Sequence, residues 1–98
     1  MLSKDYILKQ LGDHKLELSK FGVSSLGLFG SYIRNEETED SDIDLLVDFE
    51  PEQESYENFM AVYDVLEQLF KDEKIEIVTK NGLSKYIGPK ILKEVEYV

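Results

Sequence analysis

A chain of 98 residues, 42% of them hydrophobic, suffices for one domain with a packed core, and its lack of cysteine excludes disulfide staples and thiolate metal sites. A net charge of −10, from 21 acidic against 11 basic side chains, argues against direct nucleic-acid binding, which needs Lys and Arg to neutralise phosphates. The same charge suits a basic protein partner. No apolar run approaches the roughly 20 residues that span a bilayer, and the N-terminus lacks a signal-peptide pattern, so a cytoplasmic protein without membrane contact is expected.

Taken in order, residues 4–20 read as helical, with Ile7, Leu11 and Leu18 on one stripe. Gly12-Asp13 is expected to weaken or break that helix, and Phe21-Gly22 to close it. His14, the only histidine, has no Cys or second His nearby and reads as a surface or partly packed residue. Residues 23–29 form a first predicted strand, with Leu26 and Leu28 on one face and Gly27 and Phe29 on the other. Gly30-Ser31 turns out of it, a short helical turn follows to about Asn35, and residues 36–41 make an acidic loop. Residues 43–49 form the second strand. Its period of two puts Ile43, Leu45, Val47 and Phe49 on one face, and Asp42, Asp44, Leu46 and Asp48 on the other.

Glu50-Pro51 ends that strand. An amphipathic helix is predicted over residues 55–71, with Phe59, Val62, Tyr63, Leu66, Leu69 and Phe70 on its apolar side. Residues 74–79 form a third strand, Asn81-Gly82 a turn, and Ser84 a helix cap. Gly88-Pro89 interrupts before a last helix carrying Ile91, Leu92 and Val95. The expected fold is α/β in the order α-β-α-β-α-β-α, a small sheet covered by helices, with residues 1–98 as a single domain.

One stretch carries chemistry. Gly30-Ser31, ten intervening residues, then Asp42-Ile43-Asp44 set a phosphate-sized notch beside two carboxylates. Carboxylates two apart on a strand can share one hard cation such as Mg²⁺, or bridge two, and paired metals clamp the attacking and leaving oxygens of phosphoryl or nucleotidyl transfer. Gly30 lets backbone approach a phosphate, and Ser31 adds a hydroxyl and an N–H at the start of a helical turn. Arg34, the only arginine against ten lysines, can reach the same phosphates with a fixed charge.

The pattern Gly30-Ser31…Asp42-Ile43-Asp44 resembles the signature of the DNA polymerase beta-like nucleotidyltransferase superfamily. The whole chain is similar to the minimal nucleotidyltransferases of prokaryotic HEPN/MNT toxin–antitoxin pairs, through Phe21-Gly22-Val23, Leu28-Phe29-Gly30-Ser31, Arg34, residues 40–47 and the tail 91–98. The resemblance implies a stripped-down nucleotidyltransferase palm with a mixed sheet, and an antitoxin that transfers AMP from ATP to tyrosine hydroxyls of a HEPN-family RNase toxin, with which it would form a hetero-oligomer. It implies that Asp42 and Asp44 hold Mg²⁺, that Gly30 and Ser31 seat the triphosphate, and that Arg34 neutralises phosphate charge. The third carboxylate then falls on Glu76, where the family more usually has Asp. Asn35 stands where relatives often have Gly, and Asn tolerates positive φ best among non-glycine residues. Two alternatives differ in chemistry: an antitoxin that masks a basic RNase through its acidic surface without catalysis, and nucleotidylation of a small molecule, for which 98 residues leave no second domain.

Overall fold

A computed structural model describes residues 1–98. Helix α1 (Lys4–Ser19) leads into strand β1 (Val23–Phe29), a 3₁₀ turn (Gly30–Tyr32), strand β2 (Ile43–Phe49) and helix α2 (Tyr56–Leu69). Strand β3 (Ile75–Thr79), a second 3₁₀ turn (Lys80–Gly82), helix α3 (Gly88–Glu94) and a short strand β4 (Glu96–Tyr97) complete the chain. The sheet order is β3-β2-β1-β4; β1 runs antiparallel to both of its neighbours, while β2 and β3 are parallel. That mixed sheet covered by helices is the expected fold class.

Helices α1 and α2 each begin where a side chain can satisfy a free N–H group of the first turn, whereas α3 starts after Ile87 without such a cap. Ser3 accepts from the Tyr6 amide at 3.1 Å, and Ser55 accepts from the Asn58 amide at 3.1 Å. Alternation along β1 and β2 then divides the molecule into two apolar layers. Ile7, Leu11 and Leu18 of α1, with Val62 and Leu66 of α2, pack on Leu26, Leu28, Ile43, Leu45 and Val47 to form the main core. Each fully buried side chain of this kind contributes about 1.5–3 kcal/mol. The opposite face carries a smaller cluster of Phe29, Leu46 and Ile91, under which α3 is anchored. Of the expected site residues, Asp44 and Glu76 lie on this second face.

Three expectations are corrected. Gly12-Asp13 does not break α1, which is continuous. A glycine in mid-helix costs only about 1 kcal/mol, and the Ile7, Leu11 and Leu18 stripe buried against the sheet outweighs it. The helical segment after β1 is a single 3₁₀ turn, not an α-helix. The tail does not end as helix: Val95 leaves α3 in extended conformation, and Glu96 and Tyr97 pair with Leu28 and Gly27 of β1. Two-residue strands carry too little periodicity to be seen in sequence.

Gly27 explains why the tail can lie there. A Cβ at this position would come within 2.6 Å of a Val95 methyl and 3.0 Å of the Glu96 carbonyl. Gly27→Ala is therefore expected to push β4 off the sheet edge and to cost about 1–3 kcal/mol. Thermal unfolding would show the loss, and amide exchange would show lost protection confined to the C-terminal strand. Unchanged exchange there would mean that the tail is not seated on Gly27.

Candidate active site

The site is built at one end of the sheet, where strand register brings residues from three strands into line. Phe29, the last residue of β1, is the Cα partner of Asp44, and Asp44 is in turn the partner of Glu76. Because Asp44 and Glu76 are laterally paired in a parallel ladder, their side chains emerge on the same face. Asp42 precedes β2 by one residue and stands close enough to act electrostatically on Asp44. The chain leaves β1 at Gly30, whose φ of +82° belongs to the left-handed region. A Cβ on Gly30 would collide with the Asp44 carboxylate, so the turn and the carboxylate are in direct contact only because the residue is glycine.

The turn itself is fixed by its own backbone. The Gly30 carbonyl accepts from the Ile33 amide at 3.0 Å and the Arg34 amide at 3.1 Å, and the Ser31 carbonyl accepts from the Glu36 amide at 2.9 Å. Asn35 adopts φ of +58°, the left-handed conformation that its side chain was expected to tolerate. Beneath the turn, the Tyr32 ring is 1% exposed; burial, followed by the charges of Glu73 and Glu37, raises its phenol above the ordinary value. Tyr32 is thus a packing residue of the turn.

Asp44 is the electrostatically stressed group. Burial, then the neighbouring charge and hydrogen-bonding reach of Glu76, then Asp42, push its carboxyl from 3.8 up to about 6, with Arg34 opposing. Burial and the neighbouring carboxylates thus disfavour the charge on Asp44 unless a cation compensates it. These oxygen donors suit a hard cation, which needs only one or two protein carboxylates when substrate phosphates and waters supply the rest. The carboxylates do not form a closed three-ligand cage by themselves.

Beside the carboxylates lies a cavity of about 480 Å³, the size of a small-ligand pocket. Gly30, Arg34, Asp44 and Glu76 line one side, and Phe29, Val78, Leu83, Ile87 and Ile91 make an apolar floor and wall. Of the six expected site residues, four therefore meet at this cavity. Asp42 and Ser31 flank it without lining it. Asp48 lies farther along β2, opposite Ser25, and takes no part. His14 binds the Gln10 carbonyl through Nδ1 at 2.9 Å on a distant helix.

The cavity also holds residues that sequence reading missed. Lys90 and Glu94 of α3 both line it. Glu94 accepts from the Gly30 amide at 2.7 Å and from Arg34 Nη1 at 3.0 Å, while Arg34 Nε donates to Glu36 at 2.8 Å. Those two carboxylates, Glu36 first, hold the Arg34 guanidinium in its charged state. A signal was available: Ile87, Lys90, Ile91 and Glu94 follow the spacing of one helical stripe. Only its apolar members stand out in a hydrophobic pattern.

An acidic strand pair in this register, a Gly-Ser turn abutting it and an adjoining ligand-sized cavity define a nucleotidyltransferase palm. The chain belongs to the nucleotidyltransferase domain family, whose sequence profile matches residues 11–98. It is 43% identical to the protein adenylyltransferase MntA of Thermococcus cleftensis, over 100% of this chain and 98% of that one. Among solved structures, a minimal nucleotidyltransferase superposes with a TM-score of 0.82 at 26% identity, covering 97% of this chain and 95% of its own. A toxin–antitoxin structure with AMP-PNP shares the fold, with a TM-score of 0.65 at 20% identity over 98% of this chain and 72% of that one. The chain stands within its family among adenylyltransferases.

The Asp44 carboxyl makes a pH prediction for metal-free protein. With its folded value at about 6 and its ordinary value at 3.8, the folded state holds the proton more tightly than the unfolded chain. This contribution to stability is therefore gained as pH falls through about 6 and lost as pH rises through it. In chelator, Asp44→Asn should be more stable than wild type at pH 7.5 by on the order of 1 kcal/mol after solvent screening, with the gap clearly narrower at pH 5, since it narrows between about 6 and 3.8. Chemical denaturation at both pH values checks this; a variant no more stable at pH 7.5 would remove the inferred repulsion.

Proposed function

We propose that the chain is a single-domain antitoxin that transfers AMP from Mg²⁺-ATP to tyrosine hydroxyls of a HEPN-family RNase toxin. The observation that carries this reading is the contact of Gly30 with Asp44, itself beside Glu76, which joins a phosphate-binding turn to a cation-binding carboxylate pair. In this reading Asp42, Asp44 and Glu76 hold the metal, and Gly30, Ser31 and Arg34 seat the triphosphate. The magnesium, when bound, supplies positive charge against the developing charge on the transferred phosphoryl group.

The protein's own part is positioning and proton management. The tyrosine oxygen forms a bond to the α-phosphorus as the bond from that phosphorus to the bridging β-phosphate oxygen breaks, so tyrosyl-AMP and pyrophosphate result. The phenolic proton passes to a carboxylate at the site, and Glu76 is the one that reaches from the neighbouring strand. The apolar wall of Val78, Leu83 and Ile87 offers a dry surface to the base. Ile87, which lines the cavity, is 54% exposed and its chain neighbour Tyr86 is 84% exposed, apolar area that suits a protein substrate better than a small molecule. An acidic surface complements a basic RNase. Support for the toxin as substrate comes from the likeness to MntA and to the HEPN/MNT pattern.

Incubation with Mg²⁺, ATP and the HEPN-family product of the neighbouring gene should add AMP to tyrosine of that partner, read by intact-mass and peptide mass spectrometry. Asp42→Asn/Asp44→Asn should lower the rate by more than the roughly 10–100-fold that disturbing a metal ligand's hydrogen-bond partners costs, and Glu76→Gln should also lower it without preventing complex formation. If the double variant neutralises the partner as well as wild type and no adduct forms, the protein acts by masking the toxin.

A further inference from the structure

The contact between Glu94 and the phosphate-binding turn has no place in the transfer chemistry. Glu94 ends α3, where its charge faces the negative end of the helix dipole and is disfavoured. Its side chain is only 16% exposed and shares a cavity with Asp44 and Glu76. Three unfavourable conditions for a carboxylate are offset by one set of donors: the Gly30 amide at 2.7 Å and Arg34 Nη1, which is 3.1 Å from Oε1 and 3.0 Å from Oε2. A backbone N–H at a glycine turn plus a guanidinium is the donor set that recognises a phosphate oxygen pair.

We propose that Glu94 is an internal phosphate mimic, which occupies the triphosphate cradle in the nucleotide-free protein and is displaced when the nucleotide enters. This rests on the reading above that Gly30 and Arg34 seat the triphosphate. The displaced group is tied to the lightest part of the fold. Helix α3 has seven residues and β4 two, and the smaller apolar cluster holds α3 mainly through Ile91. Nucleotide binding and the seating of residues 88–97 are then competing events. A partner that contacts this segment, such as one docking at Tyr86 and Ile87, would shift nucleotide affinity by moving Glu94. Conversely, nucleotide would loosen the surface that such a partner meets. Arg34 keeps its second carboxylate, Glu36, throughout, because that bond is made through Nε on the other edge of the guanidinium.

The test is calorimetric binding of α,β-methylene-ATP with Mg²⁺ to the full chain. Glu94→Gln keeps the size and an acceptor for the Gly30 amide but removes the charge, and should tighten binding by about fivefold or more. Glu94→Asp, with its carboxylate drawn back by one methylene, should tighten it less. In wild type, the analogue should speed amide exchange across residues 88–97. If Glu94→Gln binds equally or more weakly while its thermal unfolding is unchanged, Glu94 positions Arg34 for the nucleotide and the mimic is overturned. Should Glu94→Gln fail to fold, the aspartate variant and the exchange response in wild type decide alone. Weaker analogue binding to Asp42→Asn/Asp44→Asn tests the underlying site separately, so the mimic can fail while the site stands. No binding to either wild type or Glu94→Gln would overturn both.

Discussion

The parallel pairing of β2 with β3 in the register Asp44 to Glu76 is the constraint on which the site depends. Side chains alternate along a strand, so a slip by one residue would turn Glu76 into the main core and bring Ile75 or Ile77 beside Asp44. The register is held by what surrounds it. Ile43, Leu45 and Val47 bury their side chains on one face, and the ladder extends one step further through the Ile43 amide to the Lys74 carbonyl at 2.8 Å. Apolar burial on the far side of the sheet thus enforces a juxtaposition of carboxylates that repel each other on the near side. The raised Asp44 carboxyl is the local mark of that enforcement.

How far this was legible in the sequence depended on the range of each interaction. Both long strands, α2 and the face of each residue in β2 followed from periodicity, because it is set by near neighbours. Gly30 was legible as a turn residue, and Asn35 as its tolerant neighbour. The reason Gly30 must be glycine was not, since the group a Cβ would strike lies 14 residues on, in another strand. Glu76 was found only through the family resemblance. Nothing within residues 74–79 says that the strand will lie parallel to β2 rather than elsewhere in the sheet.

The second face of the sheet was read least well, for a physical reason. Helix α3 mixes its roles on one stripe: Ile91 anchors it, Ile87 walls the cavity, and Lys90 and Glu94 line it with charge. The apolar pattern there picks out Ile91, Leu92 and Val95 and passes over the charged members. Likewise the unbroken α1 shows tertiary packing overriding a local breaker, since the cost of one glycine is small beside a buried stripe. Both errors came from treating a residue's own propensity as decisive where contacts with distant segments decide.

Charge balance at the cavity explains why one arginine suffices and why it must be an arginine. Asp42, Asp44, Glu76, Glu94 and Glu36 stand in or beside the cavity against Arg34 and Lys90. Under the proposed function such a surplus would repel a triphosphate until cations arrive with it, which would couple nucleotide entry to metal. Arg34 meets two carboxylates at once, Glu36 through Nε and Glu94 through Nη1. A lysine ammonium, a single point of charge, could not keep one partner on each edge while leaving one edge to be exchanged. The planar fork can hold Glu36 fixed and trade the carboxylate of Glu94 for phosphate oxygens. In the proposed exchange, a site so rich in carboxylates would bind an anion selectively because its one forked cation is already aimed by the group that the anion replaces.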